Sequence, residues 1–350
     1  DIDGVSGHEF AVVARLRDLL SPHCAEVQID SYGNLFARVN EDASGPSLMI
    51  SAHSDEIGGL VKSIEPGGMI RFERVGGVIE TLAIGRHVRI RGQRGVVGVK
   101  AGHIQTADER GRAPSFRDLY VDMGFDSAAD VEALGIRVGD GIAWEEPMQE
   151  LANPDRVSGK ALDNRVACAV LVKLAEHLSG EPLSCTLYLV VTVQEEVGLR
   201  GARMAAHRVN PTAAIVVDTV PSGGTPDVDY HRDLRMRIGD GPVLALASGG
   251  SSSGHLINPA MRDFLRRCSE AAGIRLQEAL FYGGTSDVSA IHLVRDGIPS
   301  GVVNIARRYS HSPVETLDMN DAVDSVLLLH EAARTFSAST ELDFLDADWG

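Results

Sequence analysis

From Thr186 to Val193 the chain reads Thr-Leu-Tyr-Leu-Val-Val-Thr-Val, a β-branched, almost wholly apolar run, and then turns at once to Gln194-Glu195-Glu196. A strand with no polar face must be covered on both sides. In a chain with no membrane span, that describes an inner, largely parallel strand of an α/β sheet with helices above and below. Similar short runs at Ser47–Ala52, Ala213–Val217 and Val302–Ile305 read as its neighbours, and Leu35–Ala37 as a shorter strand. Helical periodicity falls between them. His8–Leu20 carries Phe10, Val13, Leu16 and Leu20 on one face with Pro22 just beyond, and Asp163–Leu178, Ala202–His207, Pro259–Ala272 and Asp321–Phe336 read as further helices.

The texture changes at Pro66-Gly67-Gly68. Val88-Arg89-Ile90 alternates, Gly92-Gln93-Arg94-Gly95 reads as a turn, and Val96-Val97-Gly98-Val99 returns, which is hairpin chemistry. One helix interrupts this stretch, with Ser127 as N-cap and Gly135 as stop, and Gly141–Trp144 reads as another strand. The expectation is an α/β domain formed by residues 1–65 and 155–350, split by a β-rich insertion at 66–154 that closes at Asn153-Pro154. A length of 350 residues suits about two such units.

Charge and cysteine content remove several function classes. Lys and Arg total 33 against 49 Asp and Glu, a net charge of −16, with no basic stripe, so a nucleic-acid partner is not expected. The longest apolar runs, such as Leu187–Val191, fall far short of the roughly 20 residues of a membrane span. The chain opens Asp1-Ile2-Asp3 without a Met, and its first segment lacks the basic-then-apolar pattern of a secretory signal. Cys24, Cys168, Cys185 and Cys268 are scattered, neither a disulfide framework nor a thiolate site, which fits a reducing, cytoplasmic setting.

The chemistry-bearing residues fall at strand ends. His53 follows the strand ending at Ala52, Glu195 and Glu196 follow the one ending at Val193, Asp218 ends Ile215–Val217, and His311 follows Val302–Ile305 after a short loop. Ligands of open α/β sheets bind outside the carboxyl ends of the strands, so these groups are placed to converge. Asp163, at the start of a long helix, adds a carboxylate. Imidazoles and carboxylates without thiolate suit Zn²⁺, Co²⁺ or Mn²⁺. Each residue alone also has an ordinary structural reading: either His as a hydrogen-bonded strand-end residue, Asp163 as an N-cap, Asp218 as a solvated strand end, Glu195-Glu196 as exposed loop charges. Against the last stands the repulsion between paired acids after a fully apolar strand, which a cation relieves. Asp55, two residues from His53, is spaced to accept that ring's second N–H, or to cap the following turn.

Six stretches in order carry a family resemblance: Ser51-Ala52-His53-Ser54-Asp55-Glu56-Ile57-Gly58, Gly159-Lys160-Ala161-Leu162-Asp163-Asn164-Arg165, Gln194-Glu195-Glu196-Val197-Gly198, Val217-Asp218, Gly239-Asp240-Gly241-Pro242 and Tyr309-Ser310-His311-Ser312-Pro313-Val314-Glu315. Together they resemble the dinuclear metallo-aminopeptidases of the tetrahedral aminopeptidase family, which includes glutamyl and deblocking aminopeptidases. The resemblance spans almost the whole chain. It implies a three-layer α/β/α exopeptidase core with a mixed sheet and an inserted small β-barrel. It further implies two divalent ions, Zn or Co, with His53 and Asp218 on one, Glu196 and His311 on the other, Asp163 bridging them, Glu195 as general base and Asp55 supporting His53. Peptides would be the substrates, and self-association into a hollow dodecamer is the implied assembly.

Departures from the family pattern mark points of interest. Ser54 stands where a larger apolar residue is common. Tyr282-Gly283-Gly284-Thr285-Ser286-Asp287 resembles a Gly-Gly-Thr-Asp stretch near the substrate with Ser286 intervening, and Asp287 reads either as reaching the site or as capping the helix that starts near Val288. Gly249–Gly254 reads as a flexible loop, since it lacks the Lys-Ser/Thr ending of a phosphate loop. His8, His23, His87, His103, His177, His207, His231, His255 and His292 have no ligand-like companions and read as structural or surface residues. Two rival functions remain: a related hydrolase acting on another amide or on a glucan, and a catalytically silent scaffold. Aromatic residues make up 5% of the chain and Trp144 and Trp349 are its only tryptophans, which offers little for stacking sugars. Retention of Glu195 beside Glu196 weighs against a silent scaffold.

Overall fold

The computed structural model describes residues 1–41, 45–249 and 254–343; residues 250–253 of the glycine-rich stretch and Trp349 lie outside the described residues. Among the described residues, twelve strands form one mixed sheet and six close into a barrel. The middle of the sheet is parallel. Thr186–Thr192 lies beside Ser47–His53, which lies beside Ala213–Pro221, which lies beside Ser300–Arg308. Antiparallel strands extend both edges, Leu35–Arg38 and Glu26–Ile29 on one side, Glu315–Asp318, Arg156–Gly159 and Gln149–Glu150 on the other.

The absence of a polar face explains this layering. Successive residues of each inner strand point to opposite faces, and both faces are dry. Ile50, Leu189 and Ile215 pack with Leu16, Leu171, Phe264 and Leu329 from four helices: Phe10–Leu20, Leu162–Leu178, Pro259–Ala272 and Met319–Thr335. Met49, Val190 and Val216 face the other way, against Ala202, Ala205, Val288 and Ile291 of Arg200–Val209 and Val288–Ile291. The result is an α/β/α sandwich.

The barrel runs Gly58–Ile64, Ile70–Val75, Tyr120–Asp122, Gln93–Gly98, His87–Ile90 and Gly141–Trp144, with every ladder antiparallel. Phe72, Ile90, Val121, Ile142 and Trp144 fill a core of its own. Its first strand begins at Gly58, earlier than the expected 66, because the polar tip Lys62-Ser63 disguises a strand that is half outside. The hairpin turn is also shorter than read. Arg91 and Gly92, at φ 50 and 77, form the two-residue loop and Gln93 already belongs to the strand. Ser127 does cap Ala128–Ala133, accepting from the Asp130 N–H at 3.2 Å, and Gly135 follows at φ 83. No helix among the described residues is long and apolar enough to cross a membrane.

Candidate metal centre

Parallel neighbours end on the same side, and that edge gathers the polar residues. His53 closes its strand, Glu195 and Glu196 follow Thr192, and His311 follows Arg308. Asp218 lies inside Ala213–Pro221, paired with Asn304, rather than at the strand's end. Asp163 is delivered by an irregular first turn of the helix Leu162–Leu178. Ala161 is left-handed at φ 53, Asp163 and Asn164 have non-helical dihedrals, and the peptide between them is cis. The turn is tied down: Asp163 N–H donates to Glu315 Oε2 at 2.9 Å and the Asn164 side-chain Nδ2 donates to Val217 O at 3.0 Å.

All the expected site residues meet. His53 Nε2 is 3.2 Å from Asp163 Oδ1, 3.6 Å from Asp218 Oδ1 and 4.0 Å from Glu195 Oε2. His311 Nε2 is 3.6 Å from both Asp163 Oδ2 and Glu196 Oε2. Asp55 Oδ1 lies 3.4 Å from His53 Nδ1. Asp55 also does something the sequence did not announce: its two oxygens accept the Glu195 and Glu196 N–H groups at 2.9 and 3.1 Å, and Ser6 Oγ donates to it at 2.6 Å. Glu9 accepts the Gln194 N–H at 3.0 Å, so consecutive amides of the acidic turn are clamped by buried carboxylates.

Burial dominates the electrostatics. It pushes Glu195 well above the usual carboxylate range, and Glu196 up to about 8 with the Asp163 charge adding to the effect. Burial also pushes Asp163 up, but the Arg307 guanidinium and two imidazoles outweigh it and hold this carboxyl well below the usual range. Burial opposes charging of His311, yet Asp163 and Glu196 lift it to about 9. Among the buried polar atoms without a well-aligned hydrogen bond are Asp163 Oδ1 and His53 Nδ1. A carboxylate oxygen facing an imidazole nitrogen at 3.2 Å without alignment is what a shared cation would complete. Ligand atoms gather within 4.8 Å of one another in two groups, His53 with Glu195 and Asp218, and His53 with Asp163 and Glu196. The donor set therefore fits divalent metal, and Glu195 sits close enough to belong to it.

Several neighbours escaped the sequence reading. Arg307 donates to Asp163, Glu315 and Thr219, and it lay inside a run read as strand and loop, where no spacing marks it. Asp287 sits at the N-cap position of Val288–Ile291 but caps nothing; its carboxylate takes the Thr192 hydroxyl at 2.5 Å beneath the site, and burial raises it to about 7. Ser54 is buried and donates to Thr192 O at 2.9 Å. The cleft, about 390 Å³, is completed by Leu199, Pro221, Phe281, Gly283, Gly284 and Thr285.

A family model for the M42 glutamyl aminopeptidases matches residues 33–328. SgcX of Escherichia coli (strain K12) is 36% identical over 333 residues, covering 93% of this chain and 89% of that protein. The TET aminopeptidase from the marine sediment archaeon Thaumarchaeota archaeon SCGC AB-539-E09 superposes with a TM-score of 0.92 at 31% identity, covering 97% of this chain and 94% of the other. The Pyrococcus horikoshii TET1 peptidase, described as assembling into a tetrahedron or a large octahedral shell, gives a TM-score of 0.83 at 28% identity, covering 96% and 97%.

Proposed function

The chain belongs to the M42 glutamyl aminopeptidase family and is a metal-dependent aminopeptidase; on that premise we propose that it works with a dinuclear centre and with Glu195 as its general base. His53 and Asp218 would hold one ion, Glu196 and His311 the other, with Asp163 between them. Zn²⁺ or Co²⁺ suits these imidazole and carboxylate donors. When bound, the metals lower the pKa of water and polarise the scissile carbonyl.

The chain's own residues supply the rest. Glu195 is 8% exposed and its proton affinity is raised by burial, so it is suited to take a proton from the attacking water and return it to the leaving amine. Asp55 faces the ring of His53 at 3.4 Å and, through the amides of Glu195 and Glu196, holds the position of both acids. The N-terminal residue of a peptide would lie in the cleft beside Leu199, Pro221, Phe281 and Thr285, none of them charged. Arg307 already donates to Asp163, Glu315 and Thr219. That lining supports a preference for uncharged, apolar N-terminal residues over glutamyl or lysyl ones. The likeness to shell-forming TET peptidases supports self-association, with a dodecamer as the proposed state.

The convergence of His53, Asp163, Asp218, Glu196 and His311 around one small volume carries this reading. Hydrolysis of a panel of aminoacyl-nitroanilides, before and after chelation and with Zn²⁺ or Co²⁺ restored, tests it. Leucyl and methionyl cleavage lost with chelator and regained with metal is expected. Turnover that survives chelation, or acts only on β-glucan, would overturn the reading.

A further inference from the structure

The strand that leads to Glu195 ends at Thr192, and the amides beyond it have no ladder partner. Four in succession are met instead by side-chain oxygens from distant segments. Val193 N–H donates to Asn34 Oδ1 at 3.2 Å and Gln194 N–H to Glu9 Oε1 at 3.0 Å. Those of Glu195 and Glu196 donate to the two oxygens of Asp55. Buried amides have to be paired, but pairing alone does not explain the backbone of Gln194. Its φ is 57, in the left-handed region that a residue with a Cβ occupies only at a cost. This residue turns the chain out of the sheet, so its dihedral sets the direction in which Glu195 departs.

Three side chains hold the corner. Glu9 takes the Gln194 N–H, while the Tyr32 hydroxyl and Arg200 Nη1 donate to Gln194 Oε1 at 2.9 and 3.1 Å. Tyr32 and Arg200 are exposed, whereas Glu9 is buried and is the one that grips the backbone. Glu9 occupies the N-cap position of the helix Phe10–Leu20, yet its side chain does not cap that helix. It does not line the cleft either.

We propose that Glu9 is a positioning residue for Glu195: by holding the Gln194 N–H it keeps the left-handed corner in place and the base aimed into the cleft. Without that grip Gln194 relaxes to negative φ and carries the next carboxylate out of line. Proton transfer needs the base within hydrogen-bond reach of the water, so a small displacement is costly. The proposal rests on the reading of Glu195 as general base.

Steady-state kinetics on leucyl-nitroanilide, with metal analysis and a thermal melt of each preparation, tests it. Glu9→Ala is expected to lower kcat by about 10- to 100-fold. KM is expected to stay within about threefold and metal content to match wild type, the mark of an interaction used in the transition state alone. Glu9→Gln keeps an acceptor oxygen and is expected to hold kcat within about threefold of wild type. Gln194→Gly places at the corner a residue at ease with positive φ, and adding Glu9→Ala to it is expected to cost less than about threefold. Gln194→Val, β-branched and unsuited to positive φ, opens the same corner with Glu9 in place and is expected to lower kcat as Glu9→Ala does. Wild-type kcat in folded Glu9→Ala or Gln194→Val, a loss confined to KM, or an equal loss from Glu9→Gln would each overturn the proposal. So would the full Glu9→Ala penalty in the Gln194→Gly background, or a crystal structure of Glu9→Ala with φ at Gln194 still positive. An active Glu195→Gln enzyme would instead defeat the base assignment beneath it, so the two failures are distinguishable.

Discussion

At one end of the cleft His53 is 2% exposed, closes a parallel inner strand and leans on Asp55, which is itself fully buried. At the other end the His311 side chain is 32% exposed, its backbone is left-handed at φ 57, and its Nδ1 faces only the carbonyl of Gly77, 3.3 Å away in a segment of the inserted barrel module. The donor types are alike and the supports are not. One end inherits its rigidity from the sheet, whose core residues cannot shift without opening voids. The other is assembled from two loops and therefore depends on how the barrel module sits. Rigid first ligands with poised second ones suit a centre that must hold metal and still admit a peptide.

The largest effect is expected from Glu195→Gln, which leaves both ends built but removes the base. Turnover should fall by about 10²–10⁴-fold with metal content unchanged, and steady-state kinetics with metal analysis of the same preparation would show it. An active variant would remove the assignment of Glu195. Asp55→Ala strikes the rigid end directly and the looser end through the Glu196 amide. It frees His53 and leaves two buried amides unpaired, at roughly 1–3 kcal/mol each, and should weaken metal binding by about 10–100-fold. Denaturant melts and metal titration together measure both parts; metal affinity equal to wild type would break the claim that this end is organised by Asp55.

Gly77→Ala is the matching probe of the looser end. An added Cβ would lie 2.3 Å from His311 Nδ1, so the ring must move. Weaker binding of one ion by roughly tenfold, with the His53 end intact, is expected from disturbing an outer partner of a ligand, and a Co²⁺ spectrum resolves the two ions. Equal weakening of both would contradict the division drawn here. Ser54→Ala should be mildest: it loses the hydrogen bond to Thr192 O, worth about 1 kcal/mol, with kcat/KM nearly unchanged, as thermal melts and nitroanilide assays would report.

The sheet was readable because its inner strands are buried on both faces, so Thr186–Val193 has no other place to go, and the residues following such strands share an edge by topology alone. His53, Glu195, Glu196, Asp218 and His311 were placed at that edge by that reasoning, Asp163 entered as a carboxylate at a helix start, and the motif order joined the six as one set. What escaped was what depends on side chains arriving from afar. Arg307 looks like any basic residue at a strand end, and only the fold turns it onto Asp163. Nothing in the sequence marks Gly77, although a side chain there would strike His311. The barrel's start at Gly58 was missed because half of its first strand faces solvent, so its pattern is mixed.

Anomalous scattering from crystals grown with saturating Zn²⁺ tests the central claim most directly. Two peaks are predicted, one bounded by His53 and Asp218 and the other by Glu196 and His311, with Asp163 between them. A cleft without either peak, or with Zn²⁺ bound to other residues, would contradict the account.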